Sequence, residues 1–321
     1  MKPLFSFLIS LILLLASYAI IDGLIGLTFD KIIDELPNNG NDTGAIAYAV
    51  KKVDYPVLIV GSSRAKEHYF PNIIRDSLSL ETYNVGLEGY YLSYHCCLIN
   101  MLLDRYIPDI IIWDLNMNSL FANSQDPISV LKPYYWDFDV VRRVINEKYG
   151  ESSRIKLLSN AYRYNGLAID ILYKWFDGSS DVDLNNGMNP LIYKGYSVDP
   201  ELTVNKGLDG PIDTNRVVLL HNTLQRLSDE GVRVFIFDSP NYAIIDPNRD
   251  KLSESIIYKE CQFFSIPVFD NRNLDYFLNH PELFYDEGHL FEKGALIYSQ
   301  IAAHQIVQEL SNRNCQIESI D

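Results

Sequence analysis

At 321 residues and 47% hydrophobic content, the chain is long enough for one large domain plus an accessory element, and its composition is that of a globular protein. A formal net charge of -15 excludes bulk attraction to nucleic acid or to an anionic membrane surface, both of which need a basic face. Cys96, Cys97, Cys261 and Cys315 include one vicinal pair and no CxxC, so neither a zinc site nor a dithiol redox motif is written here. A pairing of Cys261 with Cys315 stays open for a domain outside the cytoplasm.

Taken in order, Lys2 precedes a nearly unbroken apolar run from Pro3 to Ile21, and a second apolar patch covers Gly23 to Phe29. Roughly 20 such residues span a hydrocarbon core. Ser17-Tyr18-Ala19 offers a signal-peptidase site, but the apolar character continues past Ala19, which favours an uncleaved single-pass anchor over residues 1–29. The flanking charges favour an amino terminus inside and the rest of the chain translocated. Residues 30–54, with the polar turn Asn38-Asn39-Gly40-Asn41-Asp42, read as a stem.

An α/β pattern fills residues 55–312. The run Val57-Leu58-Ile59-Val60 breaks at Gly61-Ser62-Ser63, as a buried parallel strand does before a helix. Further strands are expected at 82–85, 110–115, 232–237 and 267–269, with helices at 90–106, 215–230, 252–264 and 292–311. Strand and helix alternating at this spacing predict a parallel sheet. Between 121 and 214 the alternation stops. Helices are expected at 138–148 and 153–176, followed by a polar stretch, and the whole reads as an insertion. Its aromatics Tyr134, Tyr135, Trp136, Tyr162, Tyr164, Tyr193 and Tyr196 suit either a sugar-stacking surface or the core of a helical cap. Residues 313–321 read as a polar tail.

Chemistry concentrates in two stretches. A hydroxyl at the carboxyl end of a parallel strand faces the crevice where α/β proteins bind ligands, so Ser63 is the candidate nucleophile. Asp286 and His289, three residues apart, can supply a base and its orienting carboxylate. Each has a plainer alternative: Ser63 as a helix cap, Asp286 as a turn residue and His289 at a helix entry. Arg64 is a candidate for binding an anionic group and His68 for a site wall, with ordinary surface residues of the first helix as the alternative for both. His95, His221, His280 and His304 show no metal-ligand spacing, so no metal is expected.

Four blocks in order resemble the SGNH (GDSL-like) hydrolase superfamily: Gly61-Ser62-Ser63, Asn84 to Gly89, Pro108-Asp109 leading to Asn116-Met117-Asn118-Ser119, and Asp286-Glu287-Gly288-His289. The resemblance covers about 56–311. It implies a flavodoxin-like three-layer sandwich around a parallel sheet of about five strands, interrupted by the helical insertion and preceded by the transmembrane helix. It also implies a triad of Ser63, His289 and Asp286, with the Ser63 and Gly89 backbone N–H groups and the Asn118 amide as oxyanion donors. Ser62, Asn116 and Ser119 depart from the family's pattern, all at positions outside the triad.

Gly-Ser-Ser-Arg-Ala after a strand, behind a membrane segment, is similar to anchored bacterial proteins of this superfamily that modify surface polymers. The resemblance implies an extracytoplasmic serine esterase or O-acetyltransferase with an acylated glycan as substrate and no cofactor. A separate membrane acyltransferase is a further candidate partner. The alternative is a catalytically silent module of the same fold that binds glycan or scaffolds an envelope assembly.

Overall fold

The computed structural model describes residues 2–36, 42–177, 185–193, 195, 198–199 and 201–318, with side chains from 3 to 312. Its strands are β1 (Val57–Val60), β2 (Thr82–Asn84), β3 (Ile110–Asp114), β4 (Thr203–Asn205), β5 (Arg233–Asp238), β6 (Ala243–Ile245) and β7 (Val268–Asp270). The helices that matter below are α1 (Lys2–Glu35), α2 (Asp42–Lys52), α3 (Ser63–His68), α4 (Pro71–Leu78), α5 (Leu92–Leu103), α6 (Asp139–Tyr149), α7 (Ser153–Lys156), α8 (Asn160–Arg163), α9 (Ala168–Asp177), α10 (Thr214–Asp229), α11 (Leu252–Phe263), α12 (Asp275–Leu278) and α13 (Glu292–Glu318). The chain forms two compact units, 1–48 with 128–181, and 49–127 with 182–321.

The second unit is built on a five-stranded sheet of order β2-β1-β3-β5-β7, parallel at every pairing. This meets the expectation of a parallel sheet of about five strands. Strands buried on both faces need uninterrupted apolar sequence, and all of β1 and β3 is buried. Alternate residues divide between the faces. Val57, Ile59, Ile110, Ile112, Phe235 and Phe237 share one core with Tyr69 between α3 and α4, Ile74 of α4, and Tyr298 and Ala302 of α13. Across the sheet, the Trp113 indole donates to His95 Nδ1 of α5 at 3.2 Å. The order of connection reverses at β1, so the crevice between the carboxyl ends of β1 and β3 is where such a sheet presents its ligand site. A second, two-stranded parallel sheet pairs β4 with β6. Neither strand is legible in the sequence, because each is three residues long and β4 is exposed throughout.

The first unit is helical. The span read as one helix over 153–176 is three, because Ser159 caps α8 by accepting the Tyr162 N–H and Gly166 turns the chain at φ +89°. Residues 30–35 continue α1 and do not form a stem. Ile32, Ile33 and Leu36 pack with Ala47, Tyr164 and Ile171, and Phe29 stacks on Tyr164 with centroids 5.0 Å apart. From Leu4 to Leu27, α1 is largely exposed and apolar, long enough to cross a membrane by length and composition. Tyr134, Tyr135 and Tyr164 are core residues, whereas Tyr193 is exposed and Tyr196 lies outside the described residues. The expected tail is helical through Glu318. Cys261 is a buried free thiol, and the side chain of Cys315 lies outside the described residues.

Candidate active site

The site starts where β1 stops. Gly61 leaves the strand at φ +154°, and a Cβ there would sit 2.7 Å from the Asp114 carbonyl oxygen and 2.6 Å from Ala65 Cβ, so only glycine allows so close a turn. Ser62 is the N-cap of α3 without a side-chain cap, and Ser63 is its first helical residue. The capping alternative for Ser63 therefore fails: its Oγ lies 2.8 Å from His289 Nε2. Asp286 and His289 sit on a short loop before α13. His289 Nδ1 is 2.8 and 2.9 Å from the two Asp286 oxygens, and the Gly288 N–H also bonds Oδ1. The sequence separation of 226 residues between Ser63 and His289 is closed by the sheet.

Electrostatics poise this relay. Burial alone would lower the pKa of His289, but its bond to Asp286 and the negative field of Glu67 and Asp286 outweigh that and raise it. Asp286 is held below the usual carboxylate range: partial burial pushes it up, but bonds from His289 and Gly288 pull it down further. Glu67 is the residue that sequence reasoning missed. It is buried, its Oε2 has no hydrogen-bond partner among the described residues, and burial drives its pKa up to about 7. A signal was present, since four residues after Ser63 on a helix is one turn along the same face.

The structure corrects both weaker candidates. His68 is not a wall or surface residue but fully buried: Nε2 accepts the Leu290 N–H at 3.0 Å, and Nδ1 lies 3.0 Å from Ser239 Oγ. That pattern assigns the proton to Nδ1, and burial keeps the ring neutral, with its pKa well below the ordinary value. His68 thus pins the backbone beside His289. Arg64 is likewise buried. It donates to Asp238 Oδ1 at 2.7 Å and ion-pairs with Asp114 Oδ1 at 3.1 Å, so its charge is spent inside the protein, although it lines the cleft floor.

Of the expected oxyanion donors, Ser63 and Asn118 line a common cleft of about 230 Å³. Asn118 stands in a turn in which the Asn116 side chain accepts its N–H at 2.8 Å and Ser119 Oγ donates to the Asn116 carbonyl at 2.6 Å. The departures at 116 and 119 thus build the turn that carries Asn118. Gly89 is exposed at φ +75° with open space where a side chain would be, on the loop after β2, and is not among the cleft's lining residues. Tyr91, Asn205, Asn241 and Arg249 complete much of the wall. Arg249 pairs with Glu254, and Arg272 reaches Asp238, Asp270 and Glu254. The three guanidiniums therefore meet four carboxylates, so among the described residues lining the cleft every guanidinium is paired, and amides and hydroxyls are offered beside them. No group of three or more metal-ligating side chains occurs among the described residues.

No family model matches the chain. No curated protein matches it either. Among solved structures, it is similar to an acetyl xylan esterase, Est2A, from the rumen bacterium Butyrivibrio proteoclasticus, at 8% identity and a TM-score of 0.36. The match covers 79% of this chain and 64% of that one, so this chain spans a little under two thirds of the length of that esterase.

Proposed function

We propose that the chain is a membrane-anchored, extracytoplasmic serine esterase or O-acyltransferase of the SGNH type, acting on acyl esters, above all O-acetyl groups, of a cell-surface glycan. The observation that carries this reading is the continuous relay from Ser63 Oγ through both ring nitrogens of His289 to Asp286, each step 2.8 Å.

In this mechanism His289 Nε2 takes the Ser63 proton as Oγ attacks the acyl carbon, while Asp286 holds the tautomer and stabilises the imidazolium. The oxyanion forms against the Ser63 N–H and the Asn118 amide, with the Gly89 N–H as the third donor that the family resemblance implies. The imidazolium then returns the proton to the departing sugar oxygen, leaving an acyl-serine. Water or a second sugar hydroxyl, deprotonated by the same nitrogen, releases the acyl group, and the choice decides between hydrolysis and transfer. A wall of Tyr91, Asn116, Asn205 and Asn241 suits an uncharged polyhydroxylated ligand, because amides both donate and accept. The departures at 62, 116 and 119 would favour a silent glycan-binding module, but Asn116 and Ser119 maintain the turn under Asn118.

The test is turnover of 4-nitrophenyl acetate and of an O-acetylated oligosaccharide by the full chain in detergent, following free acetate and acetyl groups moved to a second oligosaccharide. Acetate release or transfer that disappears in Ser63→Ala supports the proposal. Folded protein that binds the oligosaccharide without turning it over contradicts it and favours the binding module.

A further inference from the structure

The helical unit carries apolar side chains that its own core does not use. Ile155 is 73% exposed and Leu158 67% exposed, on either side of the buried Leu157. Exposed Arg154 and Lys156 alternate with them in an otherwise strongly acidic chain. The segment is held firmly from behind, since Leu157 is buried and its carbonyl accepts the Trp136 indole N–H at 2.9 Å. Rigidly presented aliphatic residues flanked by cations are what the interfacial zone of a bilayer accommodates.

The position of this segment along α1 is fixed by direct bonds. The Tyr18 hydroxyl donates to Ser159 Oγ at 3.1 Å, and Ser159 Oγ donates in turn to Asp22 at 2.8 Å. The backbone N–H groups of Asn160 and Ala161 close on the same carboxylate at 2.7 and 2.9 Å. Residues 159–161 therefore join α1 at the level of Tyr18 to Asp22, and 154–158 lead directly into that junction. The rise from Leu4 to Asp22 is roughly 27 Å at helical pitch. That is close to a hydrocarbon core of about 30 Å, which puts Asp22 and the bonded residues 159–161, with 154–158 next to them in the chain, near the membrane boundary.

Resting on the anchoring proposed above, we propose that Ile155 and Leu158 insert into the interfacial layer of the bilayer that α1 spans, with Arg154 and Lys156 against anionic phospholipid headgroups. The helical unit is thus moored at two places. A single helix is free to swivel; a second contact sets one orientation of this unit on the membrane. The exposed stripe Ile169, Tyr173 and Phe176 on α9 lies beside residues 29–35, farther along α1, and is no part of the proposed contact.

The test uses the full chain in vesicles containing a phospholipid with a diazirine in its acyl chain, with adducts mapped by peptide mass spectrometry after photolysis. Adducts both in residues 4–21 and in 153–158, with the latter lost in Ile155→Ser/Leu158→Ser, are the expected result. Their yield in 153–158 should rise severalfold from phosphatidylcholine to phosphatidylglycerol vesicles and lose that rise in Arg154→Gln/Lys156→Gln. Adducts in 4–21 with none in 153–158 would overturn the second contact and leave the anchor standing. Adducts in neither would overturn both. Equal yields in the two lipids would overturn the part given to Arg154 and Lys156.

Discussion

Ser63 and Arg64 are neighbours in sequence, yet they belong to opposite kinds of site. Ser63 joins a partly exposed relay of three residues, whereas Arg64 is buried in a network with Asp114 and Asp238 that extends through Arg272 to Glu254 and Asp270. Tyr69 donates to the second oxygen of Asp114 at 2.8 Å, so the network also ties α3 to the ends of β3 and β5. In the proposed mechanism one short helix divides its labour: its first residue carries the chemistry and its second ties the helix to the ends of β3 and β5. Removing Ser63 should cost reaction and no stability, and removing Arg64 should cost stability first.

The largest expected effect is on the rate. Ser63→Ala or His289→Ala should lower esterase turnover by about six orders of magnitude, with the urea midpoint of Ser63→Ala within error of the parent. Arg64→Met reverses the pattern. It leaves Asp114 buried without its cation and Asp238 with Arg272 alone, and should cost about 3–5 kcal/mol in urea unfolding; Arg64→Lys should rescue little because one ammonium cannot replace the fork to two carboxylates. A third variant sharpens the division between the two regions: Asn118→Ala should slow turnover by about two to three orders of magnitude with a nearly unchanged KM, as loss of an oxyanion donor does.

Smaller effects concern pH. His289 works as a base only when neutral, and its raised pKa puts the acid limb of the rate profile above the ordinary histidine value. Glu67→Gln removes a negative charge that raises it, so the limb should move to lower pH in rate measurements across the neutral range. The His289–Asp286 pair also links stability to pH. The raised His289 pKa contributes stability that is present below the unfolded value and lost as pH rises through the folded one. The lowered Asp286 pKa contributes stability present above its unfolded value and lost as pH falls. Asp286→Asn should therefore be destabilised by at most about 1 kcal/mol in mildly acidic buffer, and by less in alkaline buffer.

The parallel sheet was legible because β1, β3 and β5 are apolar runs bounded by turn residues, a pattern that double burial requires. The Asp286/His289 pair was legible because both residues lie on one loop. The Arg64 network was not, since its members lie at positions 64, 114, 238, 254, 270 and 272 and only the fold brings them together. His68 was misjudged because a histidine carries no sequence mark of having both nitrogens satisfied in a core. The break of 153–176 into three helices depends on one cap and one glycine inside an otherwise periodic stretch, where the period dominates any reading. The packing of residues 29–36 against 164–172 also means that a soluble fragment beginning near residue 41 would cut the helical unit in two, so tests belong on the full chain.

Everything in the proposed mechanism depends on Ser63 being an activated nucleophile. The most direct test exposes the full chain in detergent to a fluorophosphonate, with intact mass and peptide mapping of the parent, Ser63→Ala and His289→Ala. One adduct per chain, on Ser63, lost in both variants, is the predicted result. A folded parent that takes no adduct at neutral and mildly alkaline pH would contradict it.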